Sequence, residues 1–480
     1  MSNEQQARTT NALSTLQNIT NVYFIGIGGI GMSALARYFR FKGASVSGYD
    51  KTETELTREL VAEGISIHYS DDVNLLDRQA QLVVYTPAVS KEHSELLYYQ
   101  QNGYTIVKRS DVLGAITNDS FNICIAGTHG KTTTSTLVAH ILRDSGYGCN
   151  AFLGGISVNY DTNFWSSERD VCVVEADEYD RSFLKLSPNA AVITSMDPDH
   201  LDIYGDEVTM QDAFVEFGNR IKEGGTLVSK FGLTRAKEIK ATTKWTYSLQ
   251  NEAADVYAAN IHISEGGYGF DIQLPGASIT GLRLNIGGMH NVENAVAAIA
   301  IAHSLEIESE KIKAAIASFK GVRRRFEYII APQQIEPGGY MYPVLIDDYA
   351  HHPEELNALL KSARSLFPQR RITVIFQPHL YTRTRDLVDG FAQSLESMDH
   401  IILLPIYPAR ELPIEGVRSE LILSKMNTEN KEVMTKEQLL SWAEQHSKDL
   451  DKEFGEVIIT AGAGDIDQLV QPLKQIFANI

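Results

Sequence analysis

Residues 121–134 run Phe-Asn-Ile-Cys-Ile-Ala-Gly-Thr-His-Gly-Lys-Thr-Thr-Thr, passing from a short apolar run through a Gly-x-x-Gly-Lys-Thr turn into a helical pattern. Few architectures accept that succession. Ile123, Ile125 and Ala126 read as a buried strand, and the spacing of Leu137, Val138, Ile141 and Leu142 predicts an amphipathic helix over 131–142. Between them Gly127, Thr128, His129, Gly130, Lys131, Thr132 and Thr133 form a phosphate cradle. A glycine turn lets consecutive backbone N–H groups converge on phosphate oxygens, and the helix N-terminus adds partial positive charge. Lys131 then reaches the outer phosphates, and the Thr132 hydroxyl suits Mg²⁺. The motif is shorter than the usual Gly-x-x-x-x-Gly-Lys-Thr because position 125 is Ile, so an ordinary glycine-capped strand-to-helix turn competes with this reading.

The chain has 480 residues, enough for about three domains, each able to bury a core. Its formal charge of −18 argues against nucleic acid or an acidic membrane as partner. Anionic small molecules remain compatible, provided arginines and glycine loops gather locally. No apolar run reaches the length of a membrane span, and the Met-Ser-Asn-Glu-Gln-Gln start lacks a signal-peptide pattern, which favours the cytoplasm. Cys124, Cys149 and Cys172 form no Cys-x-x-Cys pair and fit a reduced, structural role.

In residues 1–115 a strand at 22–25 runs through Gly26-Ile-Gly28-Gly29-Ile-Gly31 into a helix, and a second strand, 45–49, ends at Asp50. This is a Rossmann-type layout: the glycines admit a pyrophosphate and the acid accepts from a ribose hydroxyl. It indicates a diphosphate without saying which one. Strands at 82–85 and 104–107 end at Thr86 and at Lys108-Arg109-Ser110, where an open parallel sheet faces its ligand crevice. Arg109 also fits a solvated surface arginine.

In residues 116–325 a strand at 171–174 ends in Glu175-Ala-Asp177-Glu178-Tyr-Asp180. A carboxylate at a strand end beside a phosphate loop is placed to hold Mg²⁺. At least one of these acids fits a plain polar loop. A strand at 190–195 leads into Asp197-Pro-Asp199-His200-Leu-Asp202, which makes His200 a candidate for a second metal. Gly287-Gly-Met-His290-Asn291-Val-Glu-Asn294 opens an Ala-rich helix. Its Asn side chains suit an adenine edge, and Asn291 also suits N-capping. Arg323-Arg324-Arg325 closes the segment, as a phosphate clamp or as a solvated basic linker.

In residues 326–480, apolar runs at 344–346, 372–376, 401–404 and 457–460 end in Asp347-Asp348-Tyr-Ala-His351-His352-Pro353, Gln377-Pro-His379-Leu-Tyr-Thr-Arg383-Thr-Arg385, Pro-Ile-Tyr407-Pro-Ala-Arg410 and Ala-Gly462-Ala-Gly464-Asp465. Four strands delivering such residues to one edge describe a third α/β domain with a functional rim. Of His351 and His352, one is expected to reach ligand and the other to pack or cap the next helix.

Taken in order, these motifs resemble the Mur ligase family of ATP-dependent amide ligases in peptidoglycan precursor synthesis, over nearly the whole chain. The resemblance implies three α/β domains: a Rossmann-like UDP-sugar domain (1–115), a central P-loop-type mononucleotide-binding ATPase domain (116–325) and a C-terminal Rossmann-like amino-acid domain (326–480). It implies that ATP phosphorylates the muramyl carboxylate of UDP-N-acetylmuramate and that L-alanine then displaces phosphate from the acyl phosphate. Two Mg²⁺ ions, for which Mn²⁺ can substitute, would be held by Thr132, Glu175 and His200. By motif position, His290, Asn291 and Asn294 go to adenine and Arg324 or Arg325 to phosphates, with Asp347 at the same nucleotide. His351, His352, Arg383 and Arg385 go to the alanine and acyl-phosphate side. Gly26, Gly28, Gly29, Gly31, Asp50, Thr86, Arg109, Glu175, Asp177 and Glu178 go to the UDP-substrate. The expected assembly is a monomer or homodimer.

Two departures from the family stand out. Several siblings carry a carbamylated lysine about fifteen residues after the metal-binding histidine, whereas residues 201–221 contain no lysine and Glu216 is the stand-in. His379-Leu380-Tyr381 replaces a common His-Arg-Tyr, leaving Arg383 and Arg385 to meet the amino-acid carboxylate. The rival readings are a sister ligase adding a recycled peptide, a nucleotide-dependent oxidoreductase and an ATP-gated binding protein. The oxidoreductase leaves Lys131, Glu175 and His200 without work.

Overall fold

The computed structural model describes residues 12–118, 120–179, 181–198, 201–264, 266–333, 342–409, 411–450 and 455–478, apart from the side chains of Gln17, Leu201 and Asp202. By packing, the chain divides into two compact units, one of residues 1–258, 272–279 and 293–315, the other of residues 259–271, 280–292 and 316–480.

The first unit opens with a five-stranded parallel sheet in the order β3-β2-β1-β4-β5. Its strands are β1 (Asn21–Ile25), β2 (Ser45–Tyr49), β3 (Ser66–His68), β4 (Leu82–Tyr85) and β5 (Ile106–Lys108). Helix α1 (Ile30–Phe41) follows the glycine turn, α2 (Ser94–Gln101) follows β4, and α3 (Arg109–Asn118) follows β5. Val22 and Phe24 feed the core on one face of β1, and Tyr23 and Ile25 the core on the other. Burial on both faces is why this strand reads as one apolar run rather than an alternation.

On that second face Glu95 is fully buried and accepts the Tyr23 hydroxyl at 2.6 Å, with His68 Nε2 2.7 Å from the same hydroxyl. Burial pushes the Glu95 carboxyl up to about 7. A carboxyl whose folded value lies above its unfolded one favours folding below the unfolded value, and that advantage is lost as pH rises through about 7. Glu95→Gln should therefore gain on the wild type between pH 5 and pH 8 by about 2–3 kcal/mol, read as diverging denaturant midpoints. Parallel midpoints across that range would refute it.

The central part of the same unit places β6 (Phe121–Ala126) between β9 (Val171–Glu175) and β10 (Ala190–Ile193). The hairpin β7 (Asn150–Ser157) and β8 (Thr162–Trp165) extends the sheet past β9, and β11 (Thr226–Lys230) and β12 (Thr243–Ser248) extend it past β10. Helix α4 (Lys131–Asp144) leaves β6 through the phosphate loop. Strands β13 (Val256–Ser264), β14 (Gly267–Leu274) and β15 (Ala277–Leu284) follow β12. Helix α5 (Glu207–Gly218) belongs to this part, and α6 (Met289–Ser304) has its first turn in the second unit and the rest in the first. Cys124, Cys149 and Cys172 are buried free thiols, and burial pushes Cys172 up to about 11.

The second unit contains a six-stranded sheet in the order β16-β17-β21-β18-β19-β20. Its strands are β16 (Glu327–Ile330), β17 (Val344–Asp348), β18 (Arg371–Phe376), β19 (His400–Leu403), β20 (Lys431–Val433) and β21 (Glu456–Ala461). Only the β16–β17 pair is antiparallel, so the four strands read from the sequence do end at one edge. Helices α7 (Pro353–Leu366) and α8 (Tyr381–Asp386) start from that edge. Among the described residues no helix is long and apolar enough to cross a membrane.

Candidate active site

The phosphate loop is built by the three strand ends around it. Gly127 has φ +131°, and a Cβ there would lie 2.0 Å from Thr194 Oγ1. Gly130, at φ +78°, is similarly tight against Asn294 Oδ1, 2.7 Å from the position of a Cβ. Only glycine admits both the dihedrals and the approach. After β10, Ser195 Oγ lies 2.7 Å from Thr128 Oγ1 and accepts the His129 N–H at 3.0 Å, while Thr194 donates to the His129 carbonyl. The His129 side chain is exposed, so its backbone shapes the loop.

Lys131 Nζ donates to the Gly127 carbonyl at 2.9 Å and to Glu178 Oε1 at 2.7 Å. Glu178 is fully buried; burial pushes its carboxyl up and Lys131 pulls it back. Thr132 Oγ1 donates to Glu175 Oε1 at 3.1 Å, and Glu175 Oε2 accepts the Gly154 N–H at 3.1 Å. A hydroxyl and a carboxylate beside a phosphate cradle form an oxygen donor set that suits Mg²⁺. Among the described residues no group of three or more His, Cys, Asp or Glu is arranged to hold a metal. His200 lies outside the described residues, as do Asp180, Asp199 and Arg410. Glu216 is exposed on α5 and pairs with Arg220 at 2.7 Å.

The glycine turn of the first sheet lies across a cavity of about 290 Å³ from that carboxylate. Gly29, Gly31, Thr86 and Arg109 line one part and Gly154, Glu175 and Asp177 another. A Cβ on Gly31 would sit 2.8 Å from Arg109 Nη1, and Arg109 Nη2 is 4.0 Å from Asp177 Oδ2. Arg109 is thus a wall of the cavity rather than a solvated surface arginine. Gly26, at φ +87°, faces Thr86, and Asp50 Oδ2 accepts the Gly28 N–H at 2.8 Å. Asp50 therefore holds the turn itself.

In the second unit, Asn291 lies inside the first turn of α6, and its amide donates to the Gly287 carbonyl at 2.6 Å. It is not the N-cap that the sequence allows. His290 packs against Gly288, where a Cβ would lie 2.4 Å from its ring. Arg324, at φ +59°, donates to Asp347 Oδ2 at 3.1 Å and to the Gly462 carbonyl at 2.6 Å, with its guanidinium 5.1 Å from the Tyr349 ring centre. The buried Asp347 also accepts Thr460 Oγ1 at 2.6 Å. Arg325 is exposed.

His352 occupies the N-cap of α7 with Pro353 as first helical residue, which matches the expectation that one histidine caps. His351 Nδ1 lies 2.9 Å from the Tyr349 carbonyl. A carbonyl only accepts, so Nδ1 carries a proton, and in the neutral tautomer the lone pair falls on Nε2. Its edge meets His379, whose ring stacks on Tyr407 at 5.8 Å and whose Nδ1 is buried without a hydrogen bond. Burial and the Arg383 charge hold His379 below the usual histidine range. Arg383 Nη1 is likewise buried without a hydrogen bond, whereas the exposed Arg385 pairs with Asp386 at 2.7 Å. Thr194, Ser195, Gly154 and His379 were not singled out as site residues by the sequence. His379, three residues past the end of β18, and Thr194 and Ser195, directly after β10, share the strand-end placement that the sequence does show.

A phosphate loop and a glycine-turn cavity that share the carboxylate of Glu175 suit a nucleotide-dependent α/β enzyme. Three family models match in succession: the Mur ligase family catalytic domain over residues 21–121, the Mur ligase middle domain over 125–302 and the glutamate ligase domain of Mur ligases over 324–464. The chain belongs to the Mur ligase family. It is 49% identical to the UDP-N-acetylmuramate–L-alanine ligase of Porphyromonas gingivalis, over 96% of this chain and 99% of that one. The Flavobacterium johnsoniae ligase of the same name is 46% identical, over 96% and 98%. The crystal structure of the UDP-N-acetylmuramate-alanine ligase of Thermotoga maritima matches with a TM-score of 0.77 at 27% identity, covering 96% of this chain and 99% of that one. A murein peptide ligase from Psychrobacter arcticus shares the fold, with a TM-score of 0.64 at 22% identity over 96% and 99%.

Proposed function

We propose that the protein is an ATP-dependent ligase that joins L-alanine to the carboxylate of UDP-N-acetylmuramate, releasing ADP and phosphate, in cytoplasmic peptidoglycan precursor synthesis. The observation that carries this reading is the sharing of Glu175 between the phosphate loop and the glycine-turn cavity. A phosphate donor and a second anionic substrate then lie close enough to react. A carboxylate is a poor acyl donor because its leaving group would be oxide. Its oxygen attacks the γ-phosphorus as the bond to ADP breaks; the alanine nitrogen then attacks the acyl carbon, loses a proton, and the C–O bond to phosphate breaks.

Residues 1–115 take the UDP-sugar, 116–325 ATP and 326–480 the amino acid. Gly26, Gly28, Gly29 and Gly31 accept the diphosphate, with Asp50 bracing the turn and Thr86 and Arg109 in the wall. The amides of Gly127 to Thr133 and Lys131 hold the ATP phosphates, and Asn294, with His290 and Asn291, the adenine end. Arg325 serves the phosphates better than Arg324, which Asp347 already holds. Glu175 and Asp177 line a cavity meant for an anion, so their charge calls for a cation there. Thr132 and Glu175, with His200, would hold Mg²⁺, two ions being the expected number and Mn²⁺ a substitute; bound there, it would supply positive charge against the phosphates. His351 Nε2 takes the alanine proton, and Arg383, with His379, meets the amino-acid carboxylate.

Phosphate release from ATP with UDP-N-acetylmuramate and Mg²⁺ should follow added L-alanine mole for mole. Release that responds only to a murein tripeptide would replace this reading with the peptide-adding ligase.

A further inference from the structure

Asn163, on β8, is a fully buried polar side chain to which neither the motifs nor the proposed chemistry gives a role. Its Oδ1 accepts from Arg37 Nη1 at 2.5 Å, and its Nδ2 donates to the Ile30 carbonyl at 2.6 Å and to Ser33 Oγ at 3.0 Å. Only this amide orientation fits, because a guanidinium only donates and a carbonyl only accepts. Ile30 and Ser33 form the first turn of α1, directly after the glycine turn, and Gly29 to Met32 line one wall of the 290 Å³ cavity. Phe152, Leu153 and Gly154 of β7 line another wall, and β7 pairs with β8 in the register Phe152↔Phe164. One side chain thus ties the two walls together.

The surrounding contact between α1 and the hairpin is apolar, with Tyr38 5.7 Å from Phe152 and 6.1 Å from Phe164 between ring centres. Apolar contact favours burial but is non-directional, so it leaves α1 free to slide along the hairpin. Three hydrogen bonds in a dry setting fix its position. We propose that Asn163 is a positioning residue: it sets the glycine turn against β7 and so sets where the UDP-sugar lies relative to the phosphate loop. This rests on the function proposed above.

Arg37 makes a separate role testable. It keeps bonds to Glu63 at 2.6, 2.9 and 3.0 Å and to Glu59 at 3.3 Å, so losing Asn163 does not strand its charge. Asn163→Asp preserves the acceptor for Arg37 and removes both donors to the α1 turn, whereas Asn163→Ala removes everything. With wild type first shown to release phosphate in response to L-alanine, both variants should raise the KM for UDP-N-acetylmuramate by roughly ten- to a hundredfold, leaving the KM for ATP unchanged. Asn163→Asp should do so while still folding cooperatively, because its carboxylate keeps the bond from Arg37. A wild type silent with L-alanine refutes the underlying function, not the positioning. An unchanged KM for the UDP-sugar in Asn163→Asp, or equal rises for both substrates, would overturn the proposal and leave Asn163 as a partner of Arg37 alone.

Discussion

Lys131→Ala is expected to fold and to lose turnover by about three orders of magnitude or more. The ammonium is the one cation inside the phosphate loop whose hydrogen bonds place it, at 2.9 Å from the Gly127 carbonyl and 2.7 Å from Glu178. Removing a single preorganised donor of this kind costs about 10²–10³ in rate, and the loss of full charge adds to that. Folding survives for a reason visible in its partner. Breaking a buried ion pair costs about 3–5 kcal/mol when the remaining group must stay charged. Burial already pushes the Glu178 carboxyl up, so without Lys131 it takes a proton instead. The variant should therefore approach wild-type stability in mild acid and fall behind as pH rises. Lys131→Arg should not restore turnover, because a planar fork does not reproduce a compact ammonium held by two acceptors. Steady-state phosphate release beside a denaturant titration at two pH values checks both halves. Retained turnover would remove the phosphate loop from the chemistry.

What the sequence discloses about this site follows the range of the forces involved. The phosphate loop is legible because its strand, turn and helix are contiguous, each with its own period. Residues at strand ends, such as Glu175, Arg109 and His351, are legible because parallel sheets put their ligands there. The partners that hold them are not. Thr194 and Ser195 clasp the loop only because β10 lies beside β6, a neighbour relation set by contacts across more than sixty residues of chain. The acids at the end of β9 look like one cluster in the sequence, yet Glu175 and Asp177 line the cavity while Glu178 is fully buried under Lys131. Charge repulsion and burial separate them, and neither has a pattern in the string of letters. Arg324 reads as a phosphate clamp, and the structure binds it to Asp347 and Gly462, distant in sequence. The hairpin β7–β8 and the strands β11 to β15 and β20 have no counterpart in the sequence reading. Glycines at 154–155 and the polar Asn163 interrupt the hairpin's apolar pattern, and β13 alternates buried and exposed positions too irregularly to mark a period.

Glu175 offers a test that separates charge from position. Its two oxygens accept from Thr132 and from the Gly154 N–H at 3.1 Å each, and a Cβ on Gly154 would fall 2.2 Å from Oε2. Glu175→Gln keeps the shape and an acceptor but removes the charge. Gly154→Ala keeps the charge but pushes the carboxylate off Thr132, since no heavy atom tolerates that approach. Both should lower turnover by about two to four orders of magnitude, because in the proposed reaction this carboxylate stands between the phosphate loop and the glycine-turn cavity. They should differ in how Mg²⁺ restores activity. A neutral side chain weakens attraction for a cation, so Glu175→Gln should need a much higher Mg²⁺ concentration for half-maximal rate and recover in part at excess. A misplaced carboxylate still attracts the cation but holds it in the wrong place, so Gly154→Ala should keep a near-normal Mg²⁺ midpoint at a depressed plateau. The same titration curve for both variants would show that charge and placement are not separable at this residue. An unchanged wild-type rate in Glu175→Gln would take the carboxylate out of the metal site and leave it a tether between β9, β7 and the phosphate loop.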